Sequence, residues 1–146
     1  MEKLDSIIFY NIDKAIRTYR NYAQRQLKAN GFNITIDQWL IIKAILENPG
    51  ITQNEIGDLV FKDNASITRI IDLMVKSEYV TRKPHSEDRR KTHLEVTDSG
   101  IKIIKDVQNL IENNRETALK GISKNEMEIM NSALITIAKN CLNPKK

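Results

Sequence analysis

The chain has 146 residues, of which 40% are hydrophobic and 29% charged, the composition of an ordinary soluble protein with one core. Apolar runs fall far short of the ~20 residues that a membrane span requires, the start carries no signal-peptide pattern, and the single Cys141 leaves no internal disulfide. We therefore expect one cytoplasmic domain over residues 1–146, and the net charge of +4 is too small to demonstrate a nucleic-acid partner.

The opening segment predicts a long amphipathic helix that ends at Asn30-Gly31, because its apolar residues recur at steps of three and four. That apolar face consists of Leu4, Ile7, Ile8, Ile12, Ala15, Ile16, Tyr19 and Ala23. A second helix is expected through the apolar run from Trp39 to Leu46, and Pro49-Gly50 ends it.

Residues 52–74 predict a short helix, a tight turn and a further helix. Thr52 and Glu55 fit a capping box that opens the short helix, which should reach about Val60. After the turn, Asp63-Asn64 is expected to cap the next helix. Its buried side is expected to comprise Ile67, Ile70, Ile71 and Met74, and the opposite side Ser66, Thr68, Arg69 and Asp72.

The sequence then changes from helical to extended character. Residues 79–83 include β-branched and aromatic side chains, and residues 93–97 alternate apolar with polar ones, so two strands are expected. Residues 84–92 between them are polar, and five cations against two acids give residues 82–91 a local excess of positive charge. A two-stranded ribbon with a basic tip is a wing.

From Asp98 the helical period returns and continues to Gly121, and a second capping box at Ser123 and Glu126 opens a last helix. The apolar residues of that helix are Met127, Met130, Leu134, Ile137 and Cys141. The element order predicts a mainly α fold with a small two-stranded antiparallel wing, that is, a winged helix-turn-helix. The first and last helices carry larger apolar faces than such a small core needs to cover, which indicates a dimer.

Two stretches resemble the MarR-type regulators, a family named for multiple antibiotic resistance. Residues 67–72, Ile-Thr-Arg-Ile-Ile-Asp, followed by Val80-Thr81-Arg82, are similar to that family's recognition helix and first wing strand. Asp88-Arg89-Arg90, followed by Leu-Glu-Val-Thr-Asp-Ser-Gly at 94–100, is similar to its wing signature. The resemblance implies a homodimer held by helices within residues 1–30 and 98–146, with residues 35–97 as the DNA-binding part.

The resemblance also implies roles for single residues. Arg90 takes the role of an arginine that the wing inserts into the minor groove, and Asp88 that of its acidic partner. The expected DNA-binding residues are Asn64, Ser66, Thr68, Arg69, Asp88, Arg89, Arg90 and Lys91. Arg69 is alternatively a brace between the recognition helix and the wing, and Asp88 with Arg90 alternatively a surface ion pair. Glu78 stands where the family usually has a glycine, which leaves the end of the recognition helix and the angle of the wing open.

The sequence shows no arrangement of residues for catalysis, a cofactor or a metal ion, because its glycines stand singly and its two histidines lack further ligands at a useful spacing. We therefore expect a non-enzymatic, sequence-specific DNA-binding transcription regulator, as in this family a repressor, that acts as a homodimer on a near-palindromic operator. Two alternatives remain. One is a sensor whose binding of a small aromatic or anionic effector releases DNA, and the other is a protein-protein adaptor on the same fold, against which the basic wing argues.

Overall fold

The computed structural model describes residues 1–84, 87 and 92–144, which form two compact units, Met1–Asn114 and Arg115–Lys146. The elements in chain order are α1 (Ile8–Ala29), α2 (Ile36–Glu47), α3 (Gln53–Val60), α4 (Asn64–Lys76), β1 (Val80–Pro84), β2 (Thr92–Val96), α5 (Asp98–Ala118) and α6 (Lys124–Leu142). A short 3₁₀ turn at Leu4–Ser6 precedes α1. This order confirms the predicted fold class. The assignment of residues 1–146 to one domain stays a prediction.

The core of the first unit is aliphatic and takes side chains from α2, α3, α4, both strands and α5. Its largest fully buried side chains are Ile41, Ile42, Ile56, Ile67, Ile71, Met74, Val80, Leu94 and Val107. Tyr79 joins this core, and its Oη donates a hydrogen bond to the carbonyl oxygen of Asn33 at 2.6 Å. Burial raises the pKa of the Tyr79 phenol. Because one core holds all these elements, the position of α4 relative to the strands is set by packing.

Capping boxes decide where two of these helices begin. The predicted box of Thr52 with Glu55 opens α3, which then ends at Val60 as expected. A second box, of Thr35 with Gln38, opens α2 at Ile36. The sequence pattern placed the start of that helix at Trp39, because the polar residues of its first turn do not belong to the apolar run.

The strands β1 and β2 form the predicted antiparallel ribbon. Val80 pairs with Val96 at the base of the ribbon, and Pro84 pairs with Thr92 at the far end of the described strands. A bridge between Thr52 and His93 places the start of α3 beside β2. The helices α3 and α4 and the two strands of the ribbon are therefore held together at one face of the first unit.

Glu78 follows the end of α4, at the position where the MarR-type regulators usually have a glycine. Its backbone has φ 65°, the left-handed conformation that glycine adopts without strain. The amide of Tyr79 donates to Met74 O at 2.9 Å, and the amide of Glu78 donates to Val75 O at 3.0 Å. These two bonds are those of a Schellman motif, so α4 ends as it would with a glycine.

Glu78→Gly is expected to raise the free energy of unfolding by about 0.5 to 1 kcal/mol. The left-handed conformation costs a residue with a Cβ roughly 1 to 2 kcal/mol, and the greater freedom of glycine in the unfolded chain offsets part of that gain. Ser77→Gly is the matched control, since Ser77 has φ −79° and gains nothing from glycine. Urea unfolding at a fixed protein concentration measures both variants. A Glu78→Gly protein that unfolds at a lower urea concentration than the parent would contradict this explanation.

The second unit contains the last residues of α5 and all of α6. The predicted capping box of Ser123 with Glu126 opens α6, and hydrogen bonds from the backbone and the hydroxyl of Ser123 lower the pKa of Glu126. Three of the five residues on the apolar stripe of α6 are exposed in the single chain: Met130, Leu134 and Cys141. Within the described ranges, neither this helix nor any other is long and apolar enough to cross a membrane.

Candidate nucleic-acid interface

The turn between α3 and α4 is tight because two backbone positions permit a close approach. Phe61 caps α3 in the left-handed conformation, with φ 62°. Gly57 lies against the turn, and a Cβ at this position would stand 3.0 Å from the carbonyl oxygen of Lys62. The turn therefore brings the start of α4 close to α3, as a helix-turn-helix requires.

Asp63 caps α4, as predicted. Its carboxylate accepts a hydrogen bond from the amide of Ser66 at 2.8 Å. Hydrogen bonds from the backbone and from the hydroxyl of Ser66 lower the pKa of the Asp63 carboxyl. The cap is therefore ionised at neutral pH, and its contribution to stability is lost only as the pH falls through that lowered value.

The predicted division of α4 into a buried and an open side is confirmed. Ile67, Ile71 and Met74 are buried, and Ile70 is half-buried. The four candidate contact residues on this helix are Asn64, Ser66, Thr68 and Arg69, of which Ser66 is half-buried and the other three are exposed. This open side is short and polar at its start, so the helix backbone is accessible to a nucleic-acid groove.

Hydrogen bonds organise this polar start. Arg69 donates from a terminal guanidinium nitrogen to Ser66 Oγ at 3.4 Å. Thr68 Oγ1 donates to the carbonyl oxygen of Asn64 at 2.8 Å and accepts from Gln53 Nε2 at 2.8 Å. Gln53 belongs to α3 and was missed in the sequence, since a contact across fifteen positions leaves no periodic signal.

A salt bridge braces α4 against the wing. Arg82 on β1 donates to Asp72 on α4 at 2.5 Å. The sequence offered Arg69 as the alternative candidate for such a brace, whereas the bond that the structure gives Arg69 lies within α4 itself. The pair of Asp72 and Arg82 links the recognition helix to the first strand, and both residues belong to the stretch that resembles the MarR family.

The chain crosses from β2 into α5 at a tightly packed corner. Thr97 donates its amide hydrogen to Tyr79 O at 3.0 Å and its hydroxyl hydrogen to Glu78 O at 2.5 Å. The same hydroxyl accepts from the amide of Gly100 at 3.0 Å. A Cβ on Gly100 would overlap the carbonyl oxygen of Tyr79. The corner therefore uses the hydroxyl of residue 97 twice and leaves no room for a Cβ at residue 100.

An ion network ties the turn before α4 to the first helix. Asp37 on α2 accepts from Arg20 on α1 at 2.5 Å and lies 3.4 Å from Nζ of Lys62 in the turn. The three side chains are partly exposed, so the network contributes at most about 1 kcal/mol per pair. It contributes more to the placement of the turn than to stability.

The predicted wing-tip residues Asp88, Arg89, Arg90 and Lys91 lie outside the described residues. The described strands that lead to the tip carry exposed Arg82 and Lys83 on β1. Among the residues that the structure does describe, no three His, Cys, Asp or Glu side chains are grouped as a metal site requires.

Comparisons with known proteins agree with this arrangement. The model of the MarR family matches residues 34–92. The Bacillus subtilis protein named uncharacterized HTH-type transcriptional regulator YybA is 26% identical over 108 residues, which cover 74% of this chain and 72% of that protein. A probable transcriptional regulator from Pseudomonas aeruginosa has a similar structure, with a TM-score of 0.82 at 21% identity over 92% of this chain and 99% of that one. A mutant MarR from E. coli complexed with operator DNA gives a TM-score of 0.81 at 20% identity, over 94% and 99% of the two chains.

Proposed function

We propose that this chain is a MarR-type regulator, as the match of the family model to residues 34–92 indicates, and that it is a sequence-specific DNA-binding transcription regulator, a repressor, that acts as a homodimer on a near-palindromic operator. The observation that carries the proposal is the open polar start of α4, braced to a wing by Asp72 and Arg82. The same fold is found in a solved MarR bound to operator DNA. The proposal includes two further expectations from the sequence: a location in the cytoplasm and the absence of enzymatic activity.

The recognition helix α4 enters the major groove. Its candidate contacts are Asn64, Ser66, Thr68 and Arg69. The major groove admits a helix and presents each base pair as a distinct pattern of donors, acceptors and methyl groups. The guanidinium of Arg69 carries paired N–H donors of the kind that make a bidentate bond to guanine, the commonest specific contact in this groove.

The wing reaches the adjacent minor groove. The proposal for Arg90, with Asp88 orienting it, rests on the sequence resemblance and on the described strands that lead towards the tip. Arg89 and Lys91 add positive charge beside the phosphates. A narrow minor groove concentrates negative potential and attracts a guanidinium, so this element contributes affinity and a preference for groove shape.

The first and last helices form the dimer. In the single chain the opening residues expose large apolar side chains, with Leu4, Ile8 and Phe9 each about 60% accessible. On α6, Ile129 and Ile135 are 61% and 67% accessible. Apolar surface of this extent is uncommon on monomers, so we propose that a second copy covers it.

Light scattering is expected to give twice the 16.8 kDa mass of one chain at micromolar concentration. Leu134→Lys places a charge on the apolar stripe of α6 and is expected to lower that mass or to weaken the dimer by several kcal/mol. Lys139→Glu, on the same helix, is the control for a change of charge. A parent that scatters as a single chain at that concentration would disprove the dimer.

Selection of bound sites from random DNA tests the proposed function as a whole. The expected product is one enriched sequence with two-fold symmetry and half-sites about one helical turn apart, because each subunit presents one recognition helix. Enrichment of no sequence would contradict the function. The sequence-based expectation of an aromatic or anionic effector stays a prediction, which the same selected site can test by competition.

A further inference from the structure

The hydroxyl group of Thr68 is already engaged within the protein. It donates to Asn64 O one turn back in α4, and it accepts from Gln53 in α3. A hydroxyl carries a single hydrogen to donate. Because that hydrogen is committed to Asn64, the partner from α3 has to be a donor, which fixes Nε2 rather than Oε1 of Gln53 towards Thr68. The hydroxyl therefore keeps no hydrogen for a base.

The other branch of the Thr68 side chain is a methyl group. The residue is exposed on the open side of α4, while its hydroxyl is held at 2.8 Å by each of two partners. Two bonds from different helices restrict rotation about Cα–Cβ, so the methyl group occupies one staggered position. A threonine methyl is among the apolar groups that contact the 5-methyl group of thymine in the major groove.

We infer that Thr68 recognises a thymine through its methyl group, and that Gln53 is the positioning residue that holds Thr68 in the required rotamer. The inference rests on the proposed DNA-binding function and deepens it by assigning one base in each half-site. It also specifies the type of contact that Thr68 makes, which the sequence left open, as an apolar one. The bridge between Thr52 and His93 places Gln53 at the same face as the wing and α4.

Replacement of thymine by deoxyuridine tests the inference, because deoxyuridine lacks only the methyl group. A site selected by the parent protein is synthesised with each thymine replaced in turn, and fluorescence anisotropy measures the affinity. The affinity of the parent is expected to fall about fourfold when one particular thymine in a half-site is replaced. This loss corresponds to the buried contact of one apolar carbon at ~0.8 kcal/mol. Replacements at the other thymines that α4 does not contact are the internal control.

Three variants separate the hydroxyl from the methyl group. Thr68→Ser keeps the hydroxyl and deletes the methyl, so it is expected to bind the thymine and deoxyuridine sites equally well. Thr68→Val deletes the hydroxyl but has the same shape, and a helix by itself holds valine in one χ1 rotamer whereas threonine divides between two, so this variant is expected to retain the preference for thymine. Gln53→Ala leaves Thr68 in place but removes one of its two restraints, and its preference is expected to fall between those of the parent and Thr68→Ser.

A preference for thymine that is kept in Thr68→Ser would show that a group other than the Thr68 methyl contacts the thymine methyl, and it would overturn the inference. A parent that is insensitive to every replacement would overturn it as well. A Gln53→Ala protein with the preference of the parent would remove the positioning role of Gln53. In all three cases the parent still binds DNA, so the proposed function survives; a parent that selects no DNA sequence overturns the function and this inference together.

Discussion

Gly100→Ala is expected to lower the free energy of unfolding by roughly 3 kcal/mol, the upper end of the usual cost of an overpacked site. The new Cβ would overlap the carbonyl oxygen of Tyr79 and lie 2.6 Å from Val96 Cγ1. Tyr79 O is a backbone atom that already accepts from Thr97, so it cannot turn away as a side chain would. The corner between the wing and α5 has to open, and the angle of the wing changes with it.

Urea unfolding at a fixed protein concentration measures this effect. Ser99→Ala is the matched control, because Ser99 is an exposed neighbour in the same turn of α5 and the substitution adds no atom. The free energy of unfolding of the control is expected to lie within about 0.5 kcal/mol of that of the parent. Equal stability of Gly100→Ala and the parent would mean that the corner relaxes without cost, and it would contradict the explanation of the threonine and glycine pattern.

Arg69→Ala and Arg90→Ala are expected to weaken DNA binding in different ways. Loss of a base-reading arginine costs about 1 to 3 kcal/mol and relaxes the preference at one base position. A dimer presents two copies of that arginine, so the total loss of binding free energy for Arg69→Ala is about double when the half-sites act independently. Arg90→Ala is expected to weaken binding to many sequences alike and to reduce the salt slope by about one unit for each arginine–phosphate interaction that the substitution removes.

Fluorescence anisotropy at several salt concentrations separates these outcomes. Lys105→Ala removes an exposed cation from α5 and is the control for charge alone. If Arg69→Ala lowers the affinity without changing base preference, Arg69 contacts phosphates instead of bases. If Arg90→Ala keeps the affinity and the salt slope of the parent, the wing is not a DNA-binding element in this protein.

Local patterns predicted most of the fold. The capping boxes at Thr52 and Ser123 and the cap at Asp63 each depend on residues three apart, so the sequence contains the whole signal. The buried side of α4 follows equally from a single helical period. The end of α4 was left open because a glycine was missing, and Glu78 adopts the required left-handed conformation nonetheless. Local sterics disfavour that conformation, but packing on both sides supplies the energy to hold it.

The contacts that shape the candidate interface could not be predicted in the same way. Gln53 meets Thr68, and Asp72 meets Arg82, across ten or more positions and between different elements. Each pair depends on the angle between two elements, which the core sets and no periodicity encodes. The sequence therefore indicated which face of α4 is open, whereas the structure shows which of its groups are already engaged.

The central claim is that the open face of α4 and the wing together read a specific DNA sequence. The most direct test compares the affinity of the parent dimer for its selected site with its affinity for a scrambled site of the same composition, by fluorescence anisotropy at about 0.15 M salt. We predict a ratio of at least about 10³, as for specific DNA-binding proteins in general. Equal affinities for the two sites would contradict the claim, because they would leave only the electrostatic attraction of a basic protein for phosphate.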